Sequence, residues 1–231
     1  MKAHALRFDT RQAVLNFIKH MGSATAGELA EQLRITREGA RQQLQALESE
    51  GWIARVQRPR SEIPGRPAVA FEITAAGDHL FPKDYDNLSL TLIDTVAEHL
   101  GEAALNTLLM SLTEQQVQYW EPKLVGKSLP ERIKMLKDLY YEDDPYTFMR
   151  KDGRSYVLVE RNCPFLNVAM KRPQLCSVTV STLIRLLGVR VIREERFQDG
   201  QRRCVFRVMA DEPMDTRLFR FALEEAYADT T

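Results

Sequence analysis

The stretch Thr25–Gly51, TAGELAEQLRITREGARQQLQALESEG, decides how the chain is read. Thr25 followed by Glu28 is a capping box, in which hydroxyl and carboxylate each satisfy a backbone N–H at the start of a helix carrying Leu29, Ala30 and Leu33. Thr36 caps a second helix whose Ala40, Leu44 and Leu47 recur at helical spacing, and Gly51 supplies a left-handed stop. Only Arg34 and Ile35 lie between the first helix and that cap. So tight a connection crosses the helices steeply, closes their apolar faces on each other and turns Arg37, Glu38, Arg41, Gln42 and Gln45 outward. Arginine matches the two acceptors of guanine, and glutamine the donor and acceptor of adenine. Arg37, Arg41, Gln42 and Gln45 are therefore candidate base readers in the major groove of double-stranded DNA, whereas a merely solvated helix face more typically shows Glu/Lys pairs.

Residues 52–74 read as a hairpin wing. Trp52 to Gln57 leads into Arg58-Pro59-Arg60 and Pro64-Gly65-Arg66-Pro67, and the chain returns through Val69, Phe71 and Ile73, alternating with Ala70, Glu72 and Thr74. Arg58, Arg60 and Arg66 have no local carboxylate except Glu62, which suits contact with phosphates or a minor groove. Upstream, Asp9 can cap a helix that buries Val14, Leu15, Phe17, Ile18 and Met21 up to Gly22. Residues 1–83 thus form a winged helix-turn-helix head. The run Thr36–Leu44 (TREGARQQL), with Gly65-Arg66-Pro67, Ile73-Thr74, Gly77 and Leu80-Phe81-Pro82, closely resembles winged-helix regulators of the SufR type, distant relatives of the ArsR group.

The 231 residues are 44% hydrophobic and 28% charged, an ordinary globular composition for a small head and a larger body. Residues 1–83 hold 12 basic and 9 acidic side chains and the remainder 20 and 23, so DNA affinity needs a focused patch and two heads rather than a generally basic surface. No signal peptide and no run of the ~20 apolar residues a membrane span requires is visible, which points to the cytoplasm. In that reducing compartment three cysteines do not make a disulfide framework. An enzyme is not indicated: the phosphate-loop, H-E-x-x-H and G-x-S-x-G patterns are absent, and no histidine neighbours a cysteine.

Residues 84–122 read as helical, with Leu88, Leu92, Val96, Leu100, Leu105, Leu108, Leu109 and Leu112 on an apolar stripe broken near Gly101. A homodimer through these helices would place two heads on a symmetric operator; alternatively the stripe packs on the chain's own body. In residues 123–231, Pro122 to Pro130 reads as a loop and Glu131 to Tyr140 as a helix with Ile133, Leu136 and Leu139 inside. Lys151-Asp152-Gly153-Arg154 signals a type I′ hairpin, and Asp199-Gly200 joins a strand over Arg190–Phe197 to one over Arg202–Val208. Helices are expected after Pro164, over Val178–Leu187 and over Thr216–Tyr227. The fold class is α+β: winged helix-turn-helix, central dimerisation helices, and a C-terminal antiparallel sheet covered by helices on one side.

All three cysteines fall in this last region. Singly, Cys204 reads as a small core hydrophobe and Cys163, before Pro164, as a candidate low-pKa thiol at a helix start. Twelve residues separate Cys163 from Cys176 and twenty-seven separate Cys176 from Cys204, a spacing that by itself settles nothing. Asn162-Cys163-Pro164-Phe165, Leu175-Cys176, Leu186-Leu187-Gly188 and Arg203-Cys204-Val205-Phe206 resemble the C-terminal domain of the same SufR-type family. That resemblance implies an iron–sulfur cluster, of the 4Fe-4S type, held by Cys163, Cys176 and Cys204 and sensing redox or cluster status. The family pattern carries a fourth cysteine about midway between the last two, where this chain has Val189-Arg190; an open iron, a three-thiolate metal ion or a degenerate site are the alternatives. The competing reading is a DNA-binding regulator whose body only dimerises or binds a small molecule.

Overall fold

The computed structural model describes residues 10–58, 68–138 and 145–224, divided between a unit of Met1–Lys83 and one of Asp84–Thr231. In the first, α1 (Thr10–Met21), α2 (Ala26–Leu33) and α3 (Arg37–Ser49) close over Val14, Ile18, Leu29, Ala40, Leu44 and Leu47. Met21, expected inside, is 55% exposed because α1 ends there and Gly22 turns away with φ +75°. The capping box of α2 is formed from both sides, Thr25 N donating to Glu28 Oε2 at 2.8 Å and Glu28 N to Thr25 Oγ1 at 3.2 Å. Gly51, at φ +80°, ends α3 by donating to Glu48 O while Trp52 N donates to Leu47 O, the paired bonds of a Schellman motif.

Strands β1 (Ile53–Arg58) and β2 (Ala68–Ile73) pair antiparallel from Ile53↔Ile73 to Arg58↔Ala68, and Ala24 adds a bridge to Phe71. The alternation expected in β2 is not kept. Ala70 and Phe71 are both buried and Val69 is 46% exposed, because Val69 lies toward the hairpin tip, beyond the reach of the head's core. The tip itself, with Arg60, Glu62 and Arg66, lies outside the described residues, as does the Asp9 cap. A short helix, α4 (Ala75–Asp78), is capped by Thr74 and lies so close to the Gly51–Trp52 turn that a Cβ on Gly77 would stand 2.0 Å from Trp52 O.

In the second unit α5 (Tyr85–Leu100) and α6 (Glu102–Leu124) pack with the elements C-terminal to them, so 84–122 and 123–224 share one unit. The leucine stripe divides: Leu105 and Leu109 are buried against Val178, whereas Leu88, Leu92 and Leu100 are more than half exposed. The loop expected from Pro122 does not begin there, since α6 continues to Leu124. Pro122 gives up the bond to the carbonyl four residues back, yet the turn is kept, with Leu124 buried at its end. Helix α7 (Leu129–Leu136) starts earlier than expected because Ser128 and Glu131 form a second capping box. It buries Ile133 and Leu136; Leu139 lies outside the described residues.

Strands β3 (Thr147–Asp152) and β4 (Ser155–Glu160) form the first hairpin. Its turn residues are Gly153 and Arg154 with only Gly153 at positive φ, the pattern of a type II′ rather than the expected I′ turn, because Asp152 is still paired with Ser155. Then come α8 (Leu166–Ala169), α9 (Cys176–Leu187), β5 (Val189–Glu195) and β6 (Cys204–Pro213), giving an antiparallel sheet in the order β3-β4-β6-β5. The β5–β6 connection is not a tight turn at Asp199-Gly200. Phe197 folds inward onto the core, and residues 196–203 form a longer loop with a 3-10 turn.

The inner face of the sheet packs Leu158, Phe206, Val208 and Val191 on α6, α7 and α9. The other face buries Val157, Val159 and Val205 as a cluster of their own among the described residues, with Arg150 and Arg207 opposite Val157 in the ladders, where their aliphatic stems can cover it. The helix expected over 216–227 is absent through residue 223. After a turn closed by Leu218 N and Phe219 N on Asp215 O the chain follows α9, Ser177 Oγ accepting from Glu224 N at 3.1 Å and Ser181 Oγ bonding both N and O of Ala222 at 3.3 Å. Side chains of α9 thus take backbone bonds that a helix would have made internally. Among the described residues no helix is long and apolar enough to cross a membrane.

Candidate functional site

In the head, the outward face of α3 is set by its cap. Thr36 Oγ1 accepts from Gly39 N at 3.0 Å, and with Ala40, Leu44 and Leu47 turned inward, Arg37, Glu38, Arg41, Gln42 and Gln45 are all exposed. Arg41 lies 3.6 Å from Glu38, with both side chains about two-thirds exposed, a loose pairing that exchanges readily for another acceptor. Facing them across a groove of about 670 Å³ are the start of α2 and the strands of the wing, including Arg55. Arg55 was not anticipated. Its Nε and Nη2 donate to Glu48 Oε2 at 3.0 and 2.8 Å, and its guanidinium lies 5.7 Å over the Phe71 ring, so it fastens the wing to the C-terminal end of α3. No local pattern signals this pair, since the partners are seven residues apart across the Gly51 turn.

Arg58, read as having no local carboxylate except Glu62, meets a distant one. Its Nη2 pairs with Glu28, the capping-box residue of α2. Its Nη1 donates to Ser23 O at 3.4 Å. It anchors the tip-side end of β1 to the start of α2, while Arg60 and Arg66 lie outside the described residues.

In the second unit the three cysteines occupy element ends at one end of the sheet: Cys163 after β4, Cys176 as the first residue of α9, Cys204 as the first of β6. They lie close enough for their charges to act on one another. Burial pushes the Cys163 thiol up to about 12, with the Glu160 carboxylate adding to the rise, a backbone hydrogen bond from Phe165 opposing it, and the other two cysteines contributing less. Burial likewise pushes Cys204 up to about 11, against the pull of Arg193 and a backbone hydrogen bond from Phe197. The reading of Cys163 as an activated thiol is therefore overturned: the helix after it is only four residues long, and burial together with the Glu160 carboxylate outweighs its backbone donor.

Around the thiols lies a polar lining. Arg193, with a side chain only 4% exposed, donates from Nη2 to Cys176 O at 2.8 Å and stacks 4.9 Å over Phe206. Its Nε is 3.1 Å from Glu224 Oε1, in an orientation that does not make a proper hydrogen bond. Burial works against the Arg193 charge, but Glu224 and the cysteines outweigh it and its pKa is raised. Gln198 Nε2 donates to Cys176 Sγ at 3.1 Å and to Ala169 O at 3.1 Å, leaving its own Oε1 buried without a hydrogen-bond partner. Among the described residues no three His, Cys, Asp or Glu side chains converge as a single metal ion would require.

The position of the missing fourth cysteine falls elsewhere. Arg190 pairs with Met209 on β6, five residues from Cys204, or about 17 Å at the rise of a strand. Val189-Arg190 thus stands toward the opposite end of the sheet from the thiols.

A family model described as MarR family matches residues 12–62, the three helices of the head and the first strand of the wing. No curated protein matches the chain. The match and the head's geometry together support a DNA-binding transcriptional regulator of winged-helix type.

Proposed function

We propose that this winged-helix transcriptional regulator binds its operator as a homodimer and reads iron–sulfur status through a cluster held by Cys163, Cys176 and Cys204. On the DNA side, Arg37, Arg41, Gln42 and Gln45 read bases from the exposed face of α3. Arg60 and Arg66 meet phosphates, and Arg58 with Arg55 sets the angle of the wing. The exposed half of the leucine stripe on α5 supports the dimer, because Leu88, Leu92 and Leu100 form more uncovered apolar surface than a lone helix keeps in water.

The observation that carries the sensing half is that three thiols, each from a different element end, share one polar-lined site with a buried guanidinium. A single tetrahedral ion with bonds of about 2.3 Å would gather its sulfurs to within about 4 Å of one another. Among the described residues the thiols do not reach that convergence, so a lone ion held by all three is not what is proposed; the support for a cluster is their placement at one end of the sheet. Arg193 would offset the charge of deprotonated Cys176 and Cys204, and Gln198 would orient the Cys176 sulfur. When bound, such a cluster supplies a charge and an occupancy that change with oxidant and iron supply. The test is iron, sulfide and visible absorption of anaerobically purified protein and of each Cys→Ser variant, with operator affinity measured before and after air exposure. Loss of the cluster in the variants, and an affinity that moves with it, is the expected result; a wild type without iron overturns it.

One observation favours the second reading, a small-molecule body without a cluster. A groove of about 630 Å³ lies between α5, α6 and α9, with Leu92, Leu108, Leu112, Trp120, Phe165 and Val178 among its walls, within the size range of organic ligand sites. Iron-free protein whose operator affinity responds to an apolar ligand would favour that reading.

A further inference from the structure

We infer that the groove between α5, α6 and α9 is a binding site for an uncharged, largely aromatic molecule that carries a carbonyl or similar hydrogen-bond acceptor. This rests on the small-molecule reading of the body and names the chemistry of the ligand. The groove measures about 630 Å³, room for a drug-sized molecule, and its exposed Leu92 and Phe165 open it to solvent. Its walls come from two parts of the body. Leu92 belongs to α5 and Leu108 to α6, whereas Phe165, Val168 and Leu175 belong to the stretch between Cys163 and Cys176. Polar contacts tie that stretch to α5: Asn167 Nδ2 donates to Asp86 Oδ2 at 2.6 Å, and Arg172 Nε donates to Asp94 Oδ1. The wall is thus held in place, and its apolar side chains border a gap that they do not close.

The walls select by chemistry. No ionised side chain lines the groove among the described residues, so a charged molecule would give up hydration there without a partner. Lys123 stands beside it but lies 3.6 Å over the Tyr119 ring and 4.6 Å over the Trp120 ring, its charge already met by two of the groove's own aromatics.

One polar group is oriented for a ligand. Gln116 Oε1 accepts from Thr182 Oγ1 at 2.9 Å, and Thr182 is fully buried, which fixes the amide. The other end of that amide, Nε2, donates to nothing among the described residues. A fixed donor among apolar and aromatic walls favours a ligand with an acceptor on an aromatic body over a plain hydrocarbon. Ser89 does not compete for the acceptor, since its hydroxyl donates to Tyr85 O at 2.7 Å within α5. Gln115, the other amide of the walls, is exposed and adds little selectivity.

The experiment titrates the full chain with Nile red, an uncharged planar dye with a ring carbonyl, and with pyrene, a planar hydrocarbon without an acceptor, reading fluorescence. Nile red is expected to saturate at one per chain with blue-shifted emission, and pyrene to bind roughly tenfold more weakly. Gln116→Glu keeps an acceptor for Thr182 and replaces the donor with an anion, so it should weaken Nile red roughly tenfold and leave pyrene unchanged. Leu108→Trp, at an exposed wall position, should fill the groove and abolish both. Val125→Glu, at an exposed apolar position outside the groove, should alter neither. Pyrene that binds as tightly as Nile red, with both indifferent to Gln116→Glu, overturns the acceptor requirement and leaves the small-molecule reading standing. Dye binding that never saturates, or that survives Leu108→Trp, overturns the site and that reading with it. Should either groove variant fail to fold, as judged by circular dichroism, the wild type decides: equal affinity for the two dyes refutes the assignment.

Discussion

The guanidinium of Arg58 pairs with the carboxylate of Glu28, so the residue that closes the capping box of α2 also holds the tip-side end of strand β1. One carboxylate therefore joins the start of the first helix of the helix-turn-helix to the hairpin beyond its second. Burial opposes the Glu28 charge, but the Thr25 backbone N–H and Arg58 outweigh it and keep the carboxyl below its ordinary value of 4.5.

Glu28→Ala should destabilise the head by about 0.5–2 kcal/mol through the lost cap, and it should weaken operator binding further by freeing Arg58. Because the folded-state pKa is depressed, the contribution of Glu28 is fully present above pH 4.5 and is lost as pH falls through the folded value. Urea unfolding at neutral and at acid pH should show the wild type and Glu28→Ala converging in acid; a gap that does not narrow would refute the pairing.

Arg41→Ala should cost about 1–3 kcal/mol of operator affinity and relax preference at one base step, while Arg66→Ala should weaken all sequences alike and reduce the salt slope. Titrations of native and scrambled duplexes at several salt concentrations separate the two behaviours. Equal losses on both duplexes for Arg41→Ala would remove it from base reading.

Gly77→Ala should be among the most damaging single-methyl changes in the head, by about 1–3 kcal/mol, because the added carbon meets backbone and not a side chain that could swing aside. Thr74 Oγ1 donates to Gly51 O at 2.6 Å and Thr74 N to Trp52 O at 3.1 Å, so the turn that would have to yield is pinned on both sides. Thermal unfolding reads the effect; a melting temperature like the wild type's would mean that α4 can shift freely.

Leu92→Glu should leave the folded monomer almost unchanged, since the side chain is 59% exposed, yet shift light scattering from dimer towards monomer and abolish cooperative operator binding. A variant that remains dimeric would move the interface away from α5.

The head was legible in the sequence because its determinants are local: caps at Thr25 and Thr36, a stop at Gly51, and helical spacing of Ala40, Leu44 and Leu47. The body was legible only in outline. Its two hairpins were placed, but the pairing of Asp152 with Ser155 and the inward fold of Phe197 depend on registers set by β6, a distant strand. Leu105 and Leu88 read alike on one stripe, and only the packing of α9 tells them apart. That Cys204 stands opposite Glu160 carried no signal either, because the two lie forty-four residues apart and meet through a ladder that no spacing rule encodes.

Ser177 and Ser181 hold Glu224 and Ala222 through their main chain, while Phe221 and Leu223 pack on Leu105, Leu109 and Val178. Neither serine uses the side chain of Ala222. Random mutagenesis of the chain should therefore tolerate Ala222 more broadly than Phe221 or Leu223 on either side of it, and reject most replacements at Ser177 and Ser181.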